Sequence, residues 1–398
     1  MAAAGELKDP LYYFDAEDGA GFKSALIMDA AGNLYGTTSG GGEYGQGTVF
    51  QLVPPGSSEA AWTRKVLLVF DGANGANNPK TDDLQAGLVR DAAGNLYGTT
   101  ASGGAHGKGT VYQLIPPADG VSAWTLKTLV AFDGANGAAP YGNVTLDALG
   151  NLYGTTHAGG RADKGTVFQI MPPLPGKTAW RRKTLVTFYG ANGAAPMAGV
   201  TLDAAGNLYG TAARGGRNDA GLVFQLSPPL PGKTAWRRKT LMTFNGFPGN
   251  GANPKAAVIL DSMGKIYGTT YTGGRKSKDG GTVYQLTPPI PPASTWKRRI
   301  LYSFDGQANV VAGVTLDAAG NLYGTTETEA SHGMLYELVA PAPGKTFWKF
   351  RQLVDFSGPN GASPTASLLL GPDGGLYGTT NDSFATKDDF GTVFKYTP

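Results

Sequence analysis

One position, repeated along the chain, carries much of the polar variety of this sequence. Directly after seven near-identical pentapeptides stand Ser39, Ala101, His157, Ala213, Tyr271, Glu327 and Asn381. A single geometric place therefore holds hydroxyl, imidazole, phenol, carboxylate and amide groups. Four residues further on, three successive copies carry Arg161, Arg217 and Arg275, each after Gly-Gly, with Arg214, Lys276 and Lys278 nearby. Guanidinium forks pair bidentately with carboxylate, sulfate or phosphate, and His157 and Tyr271 are groups of the kind that move protons. Tyr141 is added as a ligand contact. The last two copies instead offer Glu327, Glu329, Asp382, Asp388 and Asp389, so one face of the molecule should be basic on one half and acidic on the other. The histidines His106, His157 and His332 all fall in these same loops.

Several other chemistries find no support. Asp71, Asp133 and Asp305 open turns that contain Asn74, Asn136 and Asn309, oxygen donors of the kind calcium accepts. Their spacing lacks the acidic density of a calcium loop, and aspartate at the head of a glycine-rich turn commonly caps the backbone. With no cysteine, thiolate nucleophiles, disulfides and thiolate zinc sites are excluded, and His106 and His332 alone do not make a structural zinc site. No metal and no cofactor are expected. The glycine runs join extended segments, whereas a phosphate cradle needs a following helix. The triplets Arg181-Arg182-Lys183, Arg237-Arg238-Lys239 and Lys297-Arg298-Arg299 read as edge charges that deter sheet-to-sheet association, and no nucleic-acid partner is expected.

The elements that position these loops follow from the repeat. The pentapeptide begins at Leu34, Leu96, Leu152, Leu208, Ile266, Leu322 and Leu376, a period of about 56 residues that spans the chain. In the third copy, alternation and β-branched content predict strand a at Asn143–Asp147, strand b at Asn151–Thr156, strand c at Gly165–Ile170 and strand d at Trp180–Phe188. Proline at Pro172 and Pro173 ends strand c. Seven units of four antiparallel strands without helices predict a single seven-bladed β-propeller over residues 1–398. An open solenoid is the alternative, and the chain ends decide between them. The last copy stops at strand c, Gly391–Tyr396, and Leu11–Asp15 matches the missing strand d, so pairing of these two segments would close the ring. Small residues at the start of strand a place it innermost, and the tryptophans at 62, 124, 180, 236, 296 and 348 fill the wider outer gaps between blades. In this strand order the b–c and d–a loops share one face, and the a–b and c–d turns share the other.

Composition agrees with a folded, turn-rich chain: glycine is 61 of 398 residues and charged residues are 16%. The net charge of +3 is too small to announce a polyanionic partner. No stretch reaches membrane-spanning length, and the opening residues lack a signal peptide's apolar core, so an export signal is expected to be missing from this sequence.

The motifs Gly-Asn-Leu-Tyr-Gly-Thr-Thr (Gly94–Thr100, Gly150–Thr156), Gly-Thr-Val-Phe (Gly165–Phe168) and Phe-Asp-Gly-Ala-Asn-Gly (Phe70–Gly75) resemble the bacterial GloVer-type tandem repeat across essentially the whole chain. The resemblance implies an exported propeller protein, often with a C-terminal surface anchor, and no defined activity. Because this sequence ends at Pro398 with no anchor motif, attachment to a surface is not expected of it. Kelch propellers share the Gly-Gly and the strand-d tryptophan but have a shorter period. Three functions stay open: an extracytoplasmic, monomeric scaffold that binds an acidic glycan or cell-surface component; a polysaccharide lyase or hydrolase working through His157 and Tyr271; and a protein-interaction platform.

Overall fold

The computed structural model describes the chain apart from residues 1–5, 8–9, 16, 18, 57–60, 78–85, 119, 121, 247–248, 275–279, 305–308, 328–331 and 383–389. It is an all-β ring of seven blades, each a four-stranded antiparallel sheet in the order a-b-c-d. No helix occurs among the described residues, and none is long and apolar enough to cross a membrane. Blade 3 shows the pattern: Thr145–Leu146, Leu152–Thr156, Thr166–Met171 and Arg181–Thr187. Strand a is shorter than the sequence suggests, because the blades converge at the axis and leave room for only two paired residues. The strand a segments of all seven blades line a central channel of about 620 Å³.

The recurring motif is explained by what its residues touch. In strand b of blade 3, Gly154 lies under the ring of Phe168, where a Cβ would come within 2.5 Å of the phenyl edge. The next residue, Thr155, donates its hydroxyl to the Ala198 carbonyl of blade 4 at 2.7 Å. Thr156 then ties strand b to strand c through Thr166 Oγ1 at 2.9 Å. The a–b turn is held by Asp147. Its Oδ1 accepts the Leu149 and Asn151 amides at 2.9 and 2.8 Å, and its Oδ2 accepts Asn151 Nδ2 and the Tyr153 hydroxyl. Tyr153 in turn accepts Gln169 Nε2 from strand c at 3.1 Å. The same Asp-Tyr-Gln cassette recurs in blades 1, 2, 4 and 5, whereas blade 6 has Glu337 and blade 7 has Lys395 in place of the glutamine. Burial, with Asp29 beside it, pushes the Tyr35 hydroxyl up to about 12, so the phenol stays a donor.

The apolar core lies between blades. Each of seven clusters joins neighbours, as in Tyr97, Val111 and Phe132 of blade 2 with Val144, Leu152 and Phe168 of blade 3. Trp180 packs edge-on against Tyr97, and Trp236 against Tyr153, each bridging to the preceding blade.

The ring is closed by the N-terminal segment. Tyr12 and Tyr13 pair with Val393 and Thr392, and the Leu11 and Phe14 amides donate to Val393 and Gly391. A further piece, Glu6–Leu7, continues the pairing along Tyr396 and Thr397, beyond the segment expected from sequence. Phe14 and Phe22 then join Phe50, Tyr377 and Val393 in the core between blades 7 and 1.

Candidate functional site

The variable position after strand b is held in place by its backbone rather than its side chain. The His157 amide donates to the Ala139 carbonyl at 2.9 Å, and Tyr271 and Glu327 make the equivalent bonds to Asn253 and Asn309. The d–a loop that supplies these carbonyls turns through a left-handed residue before its proline: Ala139, Ala195, Asn253 and Ser363 have φ between 51° and 54°. The residue after that proline is thereby brought over the variable one, as blades 3, 5 and 7 show at the mouth of the channel. In blade 3 Tyr141 stacks on His157, with centroids 4.7 Å apart and planes at 27°. In blade 5 Lys255 Nζ sits 3.8 Å from the centre of the Tyr271 ring. In blade 7 Asn381 Nδ2 donates to Thr365 Oγ1 at 3.0 Å.

Loops of blades 3, 4 and 5 border a cavity of about 540 Å³ lined by His157, Lys164, Met197, Arg214, Asn253, Lys255 and Tyr271, among others, whereas Tyr141, stacked on His157, does not line it. His157 and Tyr271, two blades apart, share this one cavity. Three cations line it, Lys164, Arg214 and Lys255. The carboxylate there, Asp163, has its Oδ1 accepting the Gly159 amide at 2.7 Å, a loop cap that Asp219 repeats in blade 4 at Gly215. The cavity is thus cationic with aromatic walls, a combination suited to a ring-shaped ligand with an acidic substituent.

The other sequence candidates lie elsewhere. Arg161 and Arg217 are exposed and do not line the cavity, and Arg275, Lys276 and Lys278 are outside the described residues. His106 and His332 are exposed in the b–c loops of blades 2 and 6, and Glu327 is half-buried at the blade 6 mouth; none lines the cavity. Of the acidic half, Glu327 and Asp382 are described, burial pushing the Asp382 carboxyl up, while Glu329, Asp388 and Asp389 fall outside the described residues. Asp71 and Asn74 bond each other's backbone amides, as do Asp133 and Asn136, so these residues serve as turn caps; Asp305 is outside the described residues. Lys164, Asn253 and Lys255 do not stand out in the sequence. The available signal is the residue after the d–a proline, which differs between Tyr141, Met197 and Lys255 just as the position after strand b differs.

The Gloeobacter/Verrucomicrobia repeat family matches the chain over residues 1–181 and 176–349. No curated protein matches it. Among solved structures, a putative oxidoreductase (glucose dehydrogenase) from Thermus thermophilus is similar at 14% identity and a TM-score of 0.47, covering 78% of this chain and 95% of its own. A luciferin-regenerating enzyme is similar at 14% identity and a TM-score of 0.44, covering 99% of this chain and 95% of its own. Likeness at this level carries no argument about function.

Proposed function

The chain belongs to the Gloeobacter/Verrucomicrobia repeat family, and from that premise we propose that it is a binding scaffold for an acidic glycan, held at the mouth of blades 3 to 5. The observation that carries this reading is the lining of one cavity by Lys164, Arg214 and Lys255 together with His157 and Tyr271. Cations from three blades neutralise an acidic substituent, while the aromatic groups offer flat faces to a sugar ring. The remaining mouth pairs, with Glu327 in blade 6 and Asn381 in blade 7, leave room for further residues of a polymer. An extracytoplasmic location accompanies this reading, because acidic polysaccharides lie outside the cytoplasm.

Calorimetric titration with polygalacturonate and chondroitin sulfate tests it. Affinity should fall with salt, and Arg214→Ala and Lys255→Ala should each weaken binding by about tenfold, the loss of one charged contact of about 1.4 kcal/mol. Binding of neutral glycans alone, insensitive to salt and to both substitutions, sinks the reading.

The shared cavity of His157 and Tyr271 favours a second reading, a polysaccharide lyase. His157 would take the proton beside a uronate carboxylate held by the cations. Tyr271 would protonate the departing glycosidic oxygen as the carbon–carbon double bond forms. Ultraviolet absorbance of the unsaturated product should then rise, and His157→Ala should abolish the rise; a flat trace with every acidic glycan removes the reading.

A further inference from the structure

The end of the blades opposite the mouth carries a surface that glycan binding does not use. Ten large hydrophobic side chains are exposed among the described residues. Six of them, Leu149, Leu174, Leu230, Met263, Ile290 and Phe347, sit at this end of blades 3 to 6 and are 50% to 81% exposed. Leu149 and Met263 tip a–b turns, Leu174, Leu230 and Ile290 open the c–d connections, and Phe347 precedes strand d of blade 6. Two of these tips stand at tight turns. Lys177 N donates to the Leu174 carbonyl and Lys233 N to the Leu230 carbonyl, each at 2.9 Å, across Pro-Gly corners whose glycines have φ of 73° and 75°. Leu174 and Leu230 are the first residues of these turns and are 50% and 51% exposed. The repeat does not require apolar tips, because blades 1, 2 and 6 carry Gly56, Ala118 and Ala342 at the equivalent place.

Charge accompanies the tips. Lys177 and Arg181 in blade 3, Lys233 and Arg237 in blade 4, Lys297 in blade 5, and Lys345 and Lys349 in blade 6 are all exposed beside them. The c–d connections of these blades, residues 171–181, 227–237, 287–297 and 339–349, contain no carboxylate. The aspartates at this end are those of the a–b turns, such as Asp147 and Asp203, whose oxygens accept the amides and the tyrosine hydroxyl of the cassette.

We propose that this end of blades 3 to 6 docks on an anionic lipid bilayer, with the aliphatic tips entering the headgroup boundary and the lysines and arginines meeting lipid phosphates. Buried apolar area and attraction to anionic lipid are the two terms that hold a protein on a membrane surface, and both occur here side by side. A soluble polyanion would use the cations and gain nothing from the tips. A second copy of the chain would set like charges against one another. Docked in this way, the molecule turns its mouth away from the membrane.

Co-sedimentation of the full chain with vesicles of phosphatidylcholine, with or without about 30% phosphatidylglycerol, is the test. The anionic vesicles should carry the protein down at low salt and the neutral ones should not. The triple variant Leu174→Ser, Leu230→Ser, Ile290→Ser, whose fold is checked by its unchanged circular dichroism melt, should bind at least about tenfold more weakly. The charge-reversed pair Lys177→Glu and Lys233→Glu should do the same. Absence of binding to anionic vesicles overturns the proposal. So does full binding by the triple variant, which would mark a soluble polyanion as the partner, or a concentration-dependent dimer that the triple variant abolishes, which would mark a second copy.

Discussion

The two ends of each blade are built from the same repeat under opposite constraints. At the a–b end, aspartate, tyrosine and glutamine satisfy one another, and the set varies only where a compensating partner exists: Glu337 is met by Arg351 at 3.2 Å, and Lys395 by Asp373 at 2.6 Å. At the mouth, the residue after strand b ranges from alanine to histidine, tyrosine and glutamate, because its position is set by a backbone amide that any residue supplies. Side chains are fixed where they hold the backbone and free to differ where the backbone holds them. The functional candidates therefore gather at the second kind of place.

The contrast breaks most visibly if a cassette is emptied. Asp203→Ala removes the acceptor of four hydrogen bonds and strands the half-buried Tyr209 hydroxyl, so urea unfolding should show a loss of about 3 kcal/mol. Arg214→Ala at the mouth of the same blade should change stability by no more than about 0.5 kcal/mol. A finer test uses two tyrosines of blade 5. Tyr267 donates to Asp261 and accepts from Gln285, whereas the fully buried Tyr284 hydroxyl has no hydrogen-bond partner. Tyr267→Phe should cost about 1 kcal/mol, and Tyr284→Phe should be neutral or stabilise by about 1 kcal/mol; equal losses from both would contradict the assignment. The smallest effect concerns pH. Burial raises the Asp373 carboxyl, but hydrogen bonds from Lys395, Tyr377 and Gly375 outweigh it and hold the group at about 2, below its ordinary 3.8. A depressed carboxyl stabilises the fold fully above pH 3.8, and that contribution disappears as pH falls through 2. The effect is modest because Asp373 is 41% exposed. Lys395→Met should bring its titration, followed by NMR, back toward 3.8.

The propeller is legible in the sequence because the repeat fixes both its period and its missing strand: Leu11–Asp15 matches the outer strands by residue type alone. Alternation overestimates strand a, since Asn143 and Asp147 alternate like strand residues while the crowded axis admits pairing only at Thr145 and Leu146. Nothing in the sequence marks the bulge between Val167 and Phe168, which recurs at the equivalent place where strand c meets strand d in blades 1 to 6. The charge triplets look like one solvated edge, yet their members part company. Arg182 is half-buried and donates to the Asn136 carbonyl, Lys183 reaches Thr234 of the next blade, and Arg181 remains exposed. At the mouth, His157 and Tyr271 are visible from their shared register. Lys255 is not singled out, although it follows the d–a proline 16 residues before Tyr271, the same spacing that separates Tyr141 from His157.

The pairing of Tyr12 and Tyr13 with Thr392 and Val393 also bears on how the molecule is made. The strand with which this early segment pairs is the last of the ring to leave the ribosome, so blades 1 to 6 are complete before the toroid can commit. Refolding at high concentration accordingly has one specific error open to it, exchange of this strand between two molecules, which would give dimers that dilution alone does not resolve.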